Sequence, residues 1–210
     1  MLPAPEDLLK QLLADGKITD EQAELARQVS MADDITVEAD SGGHTDNRPL
    51  VGLIPTMLAV RDEVQAQMNY PHPIRIGAGG GISTPAAALA AFMMGAAYVV
   101  TGSINQACVE SSASLHTRNL LAQADMADVI MAPAADMFEL GVRVQVLKRG
   151  TMFAMRASRL YELYSRFNSV EEIPTADREK IEKTIFRRSL DEVWEETQAF
   201  FRERDQKNLD

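Results

Sequence analysis

The chain has 210 residues, of which 21 are Lys or Arg and 31 are Asp or Glu, so its net charge is −10. That acidic balance argues against non-specific binding to nucleic acid or anionic membranes. Hydrophobic residues at 46% and charged residues at 25% are ordinary globular usage and exclude a fibrous or wholly disordered chain.

The segment Met1–Asp7 has no basic stretch followed by an apolar run, so no signal peptide is read. Residues 1–30 are expected to form two short helices. Pro5 suits a first helical turn, Leu8, Leu9, Leu12 and Leu13 make an apolar stripe, and Gly16 ends the first helix. Thr19 and Gln22 then have the spacing of a capping box.

From residue 31 to about 110 strand and helix signals alternate. Ile35–Ala39 reads as a strand that ends in the turn Asp40-Ser41-Gly42-Gly43-His44, and a helix follows over Leu50–Asn69. Asp33-Asp34 is read as a junction into that strand. Pro73–Gly77 reads as a second strand that leaves through Ala78–Ile82, with Ser83 or Thr84 capping a helix to about Met94. Ala97–Val100 is the third strand, ending in Thr101-Gly102-Ser103. The order strand, helix, strand, helix, strand with short loops implies parallel βαβ units. The longest apolar run, Ala86–Val100, is interrupted by Gly95 and falls short of the ~20 residues a spanning helix needs.

Residues 111–210 read as mostly helical. The alternation of Val142, Val144 and Val146 suggests a strand, and the Ala-rich stretches beside it look helical. Leu160, Leu163, Tyr164 and Phe167 mark an amphipathic helix, and Ser189 with Glu192 forms a second capping box ahead of Leu190, Val193, Trp194 and Phe201. The segment from Glu171 to Asp210 carries 12 acidic and 8 basic residues and is expected to be a solvated helical face.

The chemistry is concentrated at strand ends. Gly77–Gly81 precedes a helix, and Thr101–Ser103 leaves the next strand. Glycines let backbone N–H groups approach an anion, and two consecutive βα loops of this kind build the phosphate site of a (β/α)8 barrel. A tight, closely packed turn is the bland alternative. A dinucleotide-binding fingerprint is not present, because Thr84 stands where its third glycine belongs, and no Gly-Lys-Ser/Thr follows for a P-loop. His44 sits among glycines at the preceding strand end, where an imidazole can donate or accept a proton near neutrality. Arg48 either binds an anion or pairs with Asp46. His72 and His116 read as turn and surface residues, Cys108 as a small buried residue, and Met93, Met94, Met126, Met131 and Met137 as core. Three scattered histidines and one cysteine make a structural metal site improbable, and the lone cysteine makes a reducing cytoplasm the expected compartment.

The stretch Met31–Pro49 resembles the PfaD-type enoyl reductases of polyunsaturated fatty acid and polyketide synthases, within the nitronate monooxygenase-like FMN barrels. Gly79–Ile82, Thr101–Cys108 and Ala132–Gly141 are similar in the same way. The resemblance implies an α/β chain that is the C-terminal part of a (β/α)8 TIM barrel. It would comprise a helical insertion at 1–30, barrel βα units at 31–110 with about three parallel strands, and a helical C-terminal extension at 111–210. It implies FMN contacts from Ser41, Gly42 and Gly43, from Gly79, Gly80 and Gly81, and from Thr101, Gly102 and Ser103. NADPH would reduce the flavin. His44 would polarise an enoyl thioester held on an acyl carrier protein or supply its α-proton, within a synthase complex. The three strands resemble the sixth to eighth of such a barrel, so an N-terminal barrel half is expected to be required. A nitronate monooxygenase-like flavin oxidase shares the loops and the histidine. A non-catalytic fragment or assembly module is the reading from another class.

Overall fold

The first two helices form where the stripe and the capping box put them. In the computed structural model, which describes residues 1–204, α1 spans Glu6–Ala14 and α2 spans Asp20–Ala26. Pro5 is not in the first turn but caps it from extended backbone (φ −60°, ψ 137°). The Thr19 hydroxyl accepts from the Gln22 N–H at 3.2 Å, and the Gln22 side-chain carbonyl accepts from the Thr19 N–H at 2.9 Å. Leu9 and Ala23 are buried, and Arg27 grips the Glu6 carboxylate through two nitrogens at 2.9 and 3.0 Å.

Next come β1 (Asp34–Glu38), the two-residue β2 (Gly43–His44), α3 (Leu50–Met68), β3 (Arg75–Gly79), α4 (Pro85–Met93) and β4 (Tyr98–Val100). β1, β3 and β4 form a parallel sheet in the order β1-β3-β4, as the βαβ pattern requires. The second strand lies two residues later than its sequence suggests. Pro73 has no N–H to give, and the Ile74 N–H goes to the Gln65 side chain at 3.2 Å, so the ladder starts at Arg75. Gly77 and Gly79 are therefore inside the strand rather than in its exit loop. A Cβ on Gly77 would lie 2.1 Å from the Tyr98 ring, so the absent side chain makes room for that ring. The Tyr98 hydroxyl and the Thr36 hydroxyl are 3.0 Å apart.

Register decides what each face of the sheet carries. Val37, Ala78 and Val99 are paired across the three strands, and Ala78 joins Ile54, Ile82, Ala91 and Ala96 in a core that Leu50 and Leu58 of α3 complete. Period-2 alternation puts Thr36, Glu38, Gly77, Gly79, Tyr98 and Val100 on the opposite face. Thr84 caps α4 by accepting from the Ala87 N–H at 3.1 Å.

The remaining elements are α5 (Ser103–Gln106), α6 (Leu115–Ala122), β5 (Val129–Pro133), β6 (Arg143–Leu147), α7 (Phe153–Arg166), α8 (Thr175–Ile181) and α9 (Leu190–Arg204). β6 pairs antiparallel with β2, Gln145 opposite Gly43 and Val144 opposite His44. The Ala-rich stretch before β6 is a strand, not a helix. Pro133 disfavours helical backbone at Ala132, and the Ala134 N–H bonds the Val142 carbonyl at 2.9 Å. Two further expectations are corrected. Cys108 is exposed, its thiol against the Ile104 carbonyl one helical turn back. Met93 and Met126 are exposed, while Met94 packs against the core. α4 is apolar nearly all round, so periodicity did not select its inner face.

The chain divides into two compact units, Met1–Val129 with Val144–Arg149, and Ile130–Arg143 with Gly150–Asp210. In the second, α7 carries the predicted stripe and buries Leu163. α8 runs into a π-helical turn, Glu182–Phe186, and α9 starts on the predicted box, with the Ser189 hydroxyl accepting from the Glu192 N–H at 3.2 Å. Trp194 on α9 is exposed. Among the described residues no helix is long and apolar enough to cross a membrane, and no cluster of side chains has metal-binding composition.

Candidate functional site at the sheet's C-terminal edge

Because β1, β3 and β4 are parallel, their exit loops meet at one edge of the sheet. The loop after β1 is closed by its own polar groups. The Asp40 N–H bonds the Arg48 carbonyl at 2.8 Å, and the Thr45 hydroxyl accepts from the Asn47 N–H at 3.1 Å while donating to Asp40 at 3.2 Å. Gln145 from β6 donates to the same Asp40 carboxylate at 2.9 Å. The Ser41 hydroxyl turns back to the Glu38 carboxylate at 3.0 Å.

Two close approaches define the site. A Cβ on Gly80 would stand 2.6 Å from the Ala39 carbonyl oxygen and 2.9 Å from that of Asp40, and Gly80 sits at φ +90°. A Cβ on Gly42 would stand 2.8 Å from the Ser103 hydroxyl. The loop after β1 thus meets the loop after β3 at its backbone and the loop after β4 through the Ser103 side chain. Gly102 is different, since a Cβ there would meet nothing within 4 Å. Nothing in this chain's packing requires a glycine at that position.

Between the loops lies a groove of about 340 Å³. Ser41 and Gly42, Gly79, Gly80 and Gly81, and Thr101, Gly102 and Ser103 all line it. Gly43 and His44 are not in its wall. They form β2, one to two residues beyond Gly42, where the pairing with β6 fixes the histidine backbone and leaves its side chain exposed. Arg48 contributes its carbonyl to the loop closure, and His72 and His116 are exposed elsewhere. Sequence reasoning missed Thr36, Glu38, Ile82 and Val100 in the lining. Alternation along β1 puts Thr36 and Glu38 on one face, which was the available signal.

The charge pattern is specific. Among the described residues in the lining, Glu38 is the one charged side chain, and no Lys, Arg or His is present. An anion here would rest on loop N–H groups and the Ser103 hydroxyl, while the Ser41 hydroxyl donates to Glu38 and the Thr101 hydroxyl to Asn105 at 3.2 Å. The Glu38 carboxylate beside it accepts hydrogen bonds and would favour a ligand that brings hydroxyl donors next to its anionic end. At the opposite edge of the sheet, Arg75 bonds Asp34 at 2.5 and 2.6 Å and holds that carboxyl below the usual range. That pair ties β1 to β3 at the end remote from the groove.

Comparison with known proteins adds the relatives. The chain is 55% identical over 203 residues to a polyunsaturated fatty acid synthase polypeptide of Thraustochytrium sp., covering 96% of this chain and 10% of that protein. It is 49% identical over 194 residues to the polyketide biosynthesis protein PksE of Bacillus subtilis, covering 92% of this chain and 25% of that one. The crystal structure of the enoyl reductase domain of MlnA, from the macrolactin biosynthesis cluster of Bacillus amyloliquefaciens, superposes with a TM-score of 0.86 at 38% identity. That match covers 98% of this chain and 48% of that domain. The chain therefore spans about half of the solved relative, and a quarter or less of these two curated ones. Residues 167–210, about a fifth of the chain, also match a family model described as "[Acyl-carrier-protein] S-malonyltransferase, inserted helical domain", which does not agree with the other relatives. Over the segment it spans, the chain is similar to polypeptides of polyunsaturated fatty acid and polyketide synthase systems and to the enoyl reductase domain of MlnA.

Proposed function

We propose that this chain is the C-terminal, phosphate-binding part of a (β/α)8 barrel and serves an FMN-dependent enoyl reductase. The observation that carries the reading is the groove at the C-terminal edge of three parallel strands, where Gly80 leaves no room for a side chain and Ser41, Thr101 and Ser103 line the walls. Its position agrees with the rule that barrel enzymes build their sites from the βα loops at that edge. The two faces of the sheet support the barrel. α3 and α4 cover one face, as outer helices do, and Thr36, Gly77 and Tyr98 lie on the other, where a barrel interior would be.

The residues fit a phosphate held by neutral donors. Gly80 and Gly81 would bring backbone N–H groups close, Ser103 would supply its hydroxyl, and Ser41 and Thr101 would turn theirs from Glu38 and Asn105 to the phosphate. Glu38 would accept from hydroxyls of the adjoining polyol chain. When bound, FMN supplies hydride transfer from NADPH to the β-carbon of an α,β-unsaturated acyl thioester. His44, whose backbone is held by the β2–β6 pairing beside the first loop, would donate the proton that the α-carbon must gain. The relatives' place in fatty acid and polyketide synthases supports a carrier-bound thioester as substrate and a synthase complex as setting.

The test joins this segment to a complementary N-terminal barrel half. The complex is expected to purify yellow with FMN, and a colourless complex refutes the assignment. Gly80→Asp should lose the flavin by crowding and repelling the phosphate. His44→Ala should keep the flavin and lose reduction of a crotonyl thioester, so unchanged turnover removes His44 from the mechanism.

A further inference from the structure

We propose that α8 and its π turn present a docking surface for the acidic face of an acyl carrier protein. The stretch Arg178–Arg188 carries five cations and two carboxylates, in a chain whose net charge is −10. A local reversal of sign draws an oppositely charged partner and sets how it lands.

Pairing sorts these charges into two groups. Arg178 is bound to Glu182 at 3.2 Å and to Asp191 at 3.1 Å, and Arg188 is bound to Glu196. Glu182 also accepts from the Leu190 N–H at 2.8 Å, which turns it toward the start of α9. Lys180, Lys183 and Arg187 are left over. All three are exposed, and none makes an ion pair among the described residues. Glu179, the other carboxylate of the stretch, is bound to none of them. The spacing i, i+3 and i+7 lines the three cations along one helical face over roughly 10 Å. Free cations over two turns match in length the acidic side of one short partner helix.

The backbone supplies an independent sign. Arg187 closes the π turn Glu182–Phe186 at φ +59°. Glycine takes this conformation without steric cost, whereas a residue with a Cβ is strained there. The chain nevertheless carries a cation at this position, and its guanidinium bonds no other group among the described residues. Nothing in the fold requires that side chain, so the strained position is read as presenting a charge outward. π turns are also rare and gather at functional sites.

Extent and setting select a protein as the partner. A nucleic-acid duplex or a bilayer reaches well beyond two helical turns and would meet the acidic remainder of this chain. A small acidic protein can engage the cations alone. The choice of an acyl carrier protein among acidic proteins rests on the proposed reduction of a carrier-bound thioester.

The experiment titrates a fluorescently labelled crotonyl acyl carrier protein of a polyunsaturated fatty acid synthase with the whole 210-residue chain and reads anisotropy. Saturable binding is expected, weakening about tenfold between roughly 0.05 and 0.5 M salt. The double variant Lys180→Glu with Lys183→Glu should weaken binding about tenfold or more. Arg187→Gly should weaken it about threefold while holding or raising the melting temperature, a combination that a structural role for Arg187 does not produce. Lys10→Glu, a charge reversal at an exposed cation of α1, should leave the affinity within about twofold. Absence of saturable binding overturns the proposal, as does affinity undiminished in either patch variant. Equal loss in Lys10→Glu would show attraction to overall charge and overturn it, and so would equally tight binding of a short DNA duplex. Flavin retention and reduction of a crotonyl thioester on a small thiol are read with no carrier present, so the reductase reading and the docking surface can fail separately.

Discussion

A glycine series across the groove separates three physical situations within a few residues. Gly80 has φ +90°, and a Cβ there would lie 2.6, 2.8 and 2.9 Å from backbone atoms of Ala39 and Asp40. Gly80→Ala therefore combines a left-handed backbone cost of about 1–2 kcal/mol with an overpacking cost of about 1–3 kcal/mol, for a total of about 2–5 kcal/mol. Gly81 has φ +68°, with its nearest obstacle at 3.8 Å, so Gly81→Ala carries the backbone cost of about 1–2 kcal/mol alone. Gly102 has φ −121° and open space, so Gly102→Ala should stay within about 0.5 kcal/mol of wild type. At about 2–4 °C per kcal/mol for a chain of this size, Gly80→Ala should lower the melting temperature by roughly 4–20 °C. The assay is thermal unfolding by circular dichroism, with hydrogen exchange at Ala39, whose N–H bonds the Gly79 carbonyl at 2.9 Å, as the local probe. Any order other than Gly80, then Gly81, then Gly102 refutes the loop geometry on which the site is built.

Other expectations are more local. Ser189→Ala removes the acceptor that caps α9 and should cost about 1 kcal/mol, seen as faster amide exchange in the first turn of that helix and not in α7. The Glu182 carboxylate accepts from the Leu190 N–H at 2.8 Å and from Arg178 at 3.2 Å, and these bonds, the backbone one first, hold it below the usual range. A depressed carboxyl stabilises the fold above the ordinary carboxylate range and loses that contribution as pH falls through its lowered value. Melting temperatures of wild type should therefore fall between roughly pH 5 and 3 more steeply than those of Glu182→Gln. Parallel acid limbs would show that this carboxylate does not couple to folding.

Local chemistry was legible in the sequence where it acts over a few residues. The capping pairs Thr19–Gln22 and Ser189–Glu192, the Thr84 cap and the parallel βαβ order all depend on neighbours within one turn or on simple alternation. The glycine loops were visible for the same reason, as was their arrangement on consecutive strands. What covers a strand is not a local property. Only the sheet register put Gly77 under the Tyr98 ring, and only the Gln65 side chain's hold on the Ile74 N–H moved β3 two residues along the chain. Packing against α3 likewise chose which side of the uniformly apolar α4 is buried, leaving Met93 outside. Length and charge bounded the class of molecule, and the spacing of glycines marked where an anion could sit. The pairing of His44 with β6 outside the groove wall and the gathering of three separate loops around Glu38 were decided by tertiary structure, because each brings together residues that no sequence spacing relates.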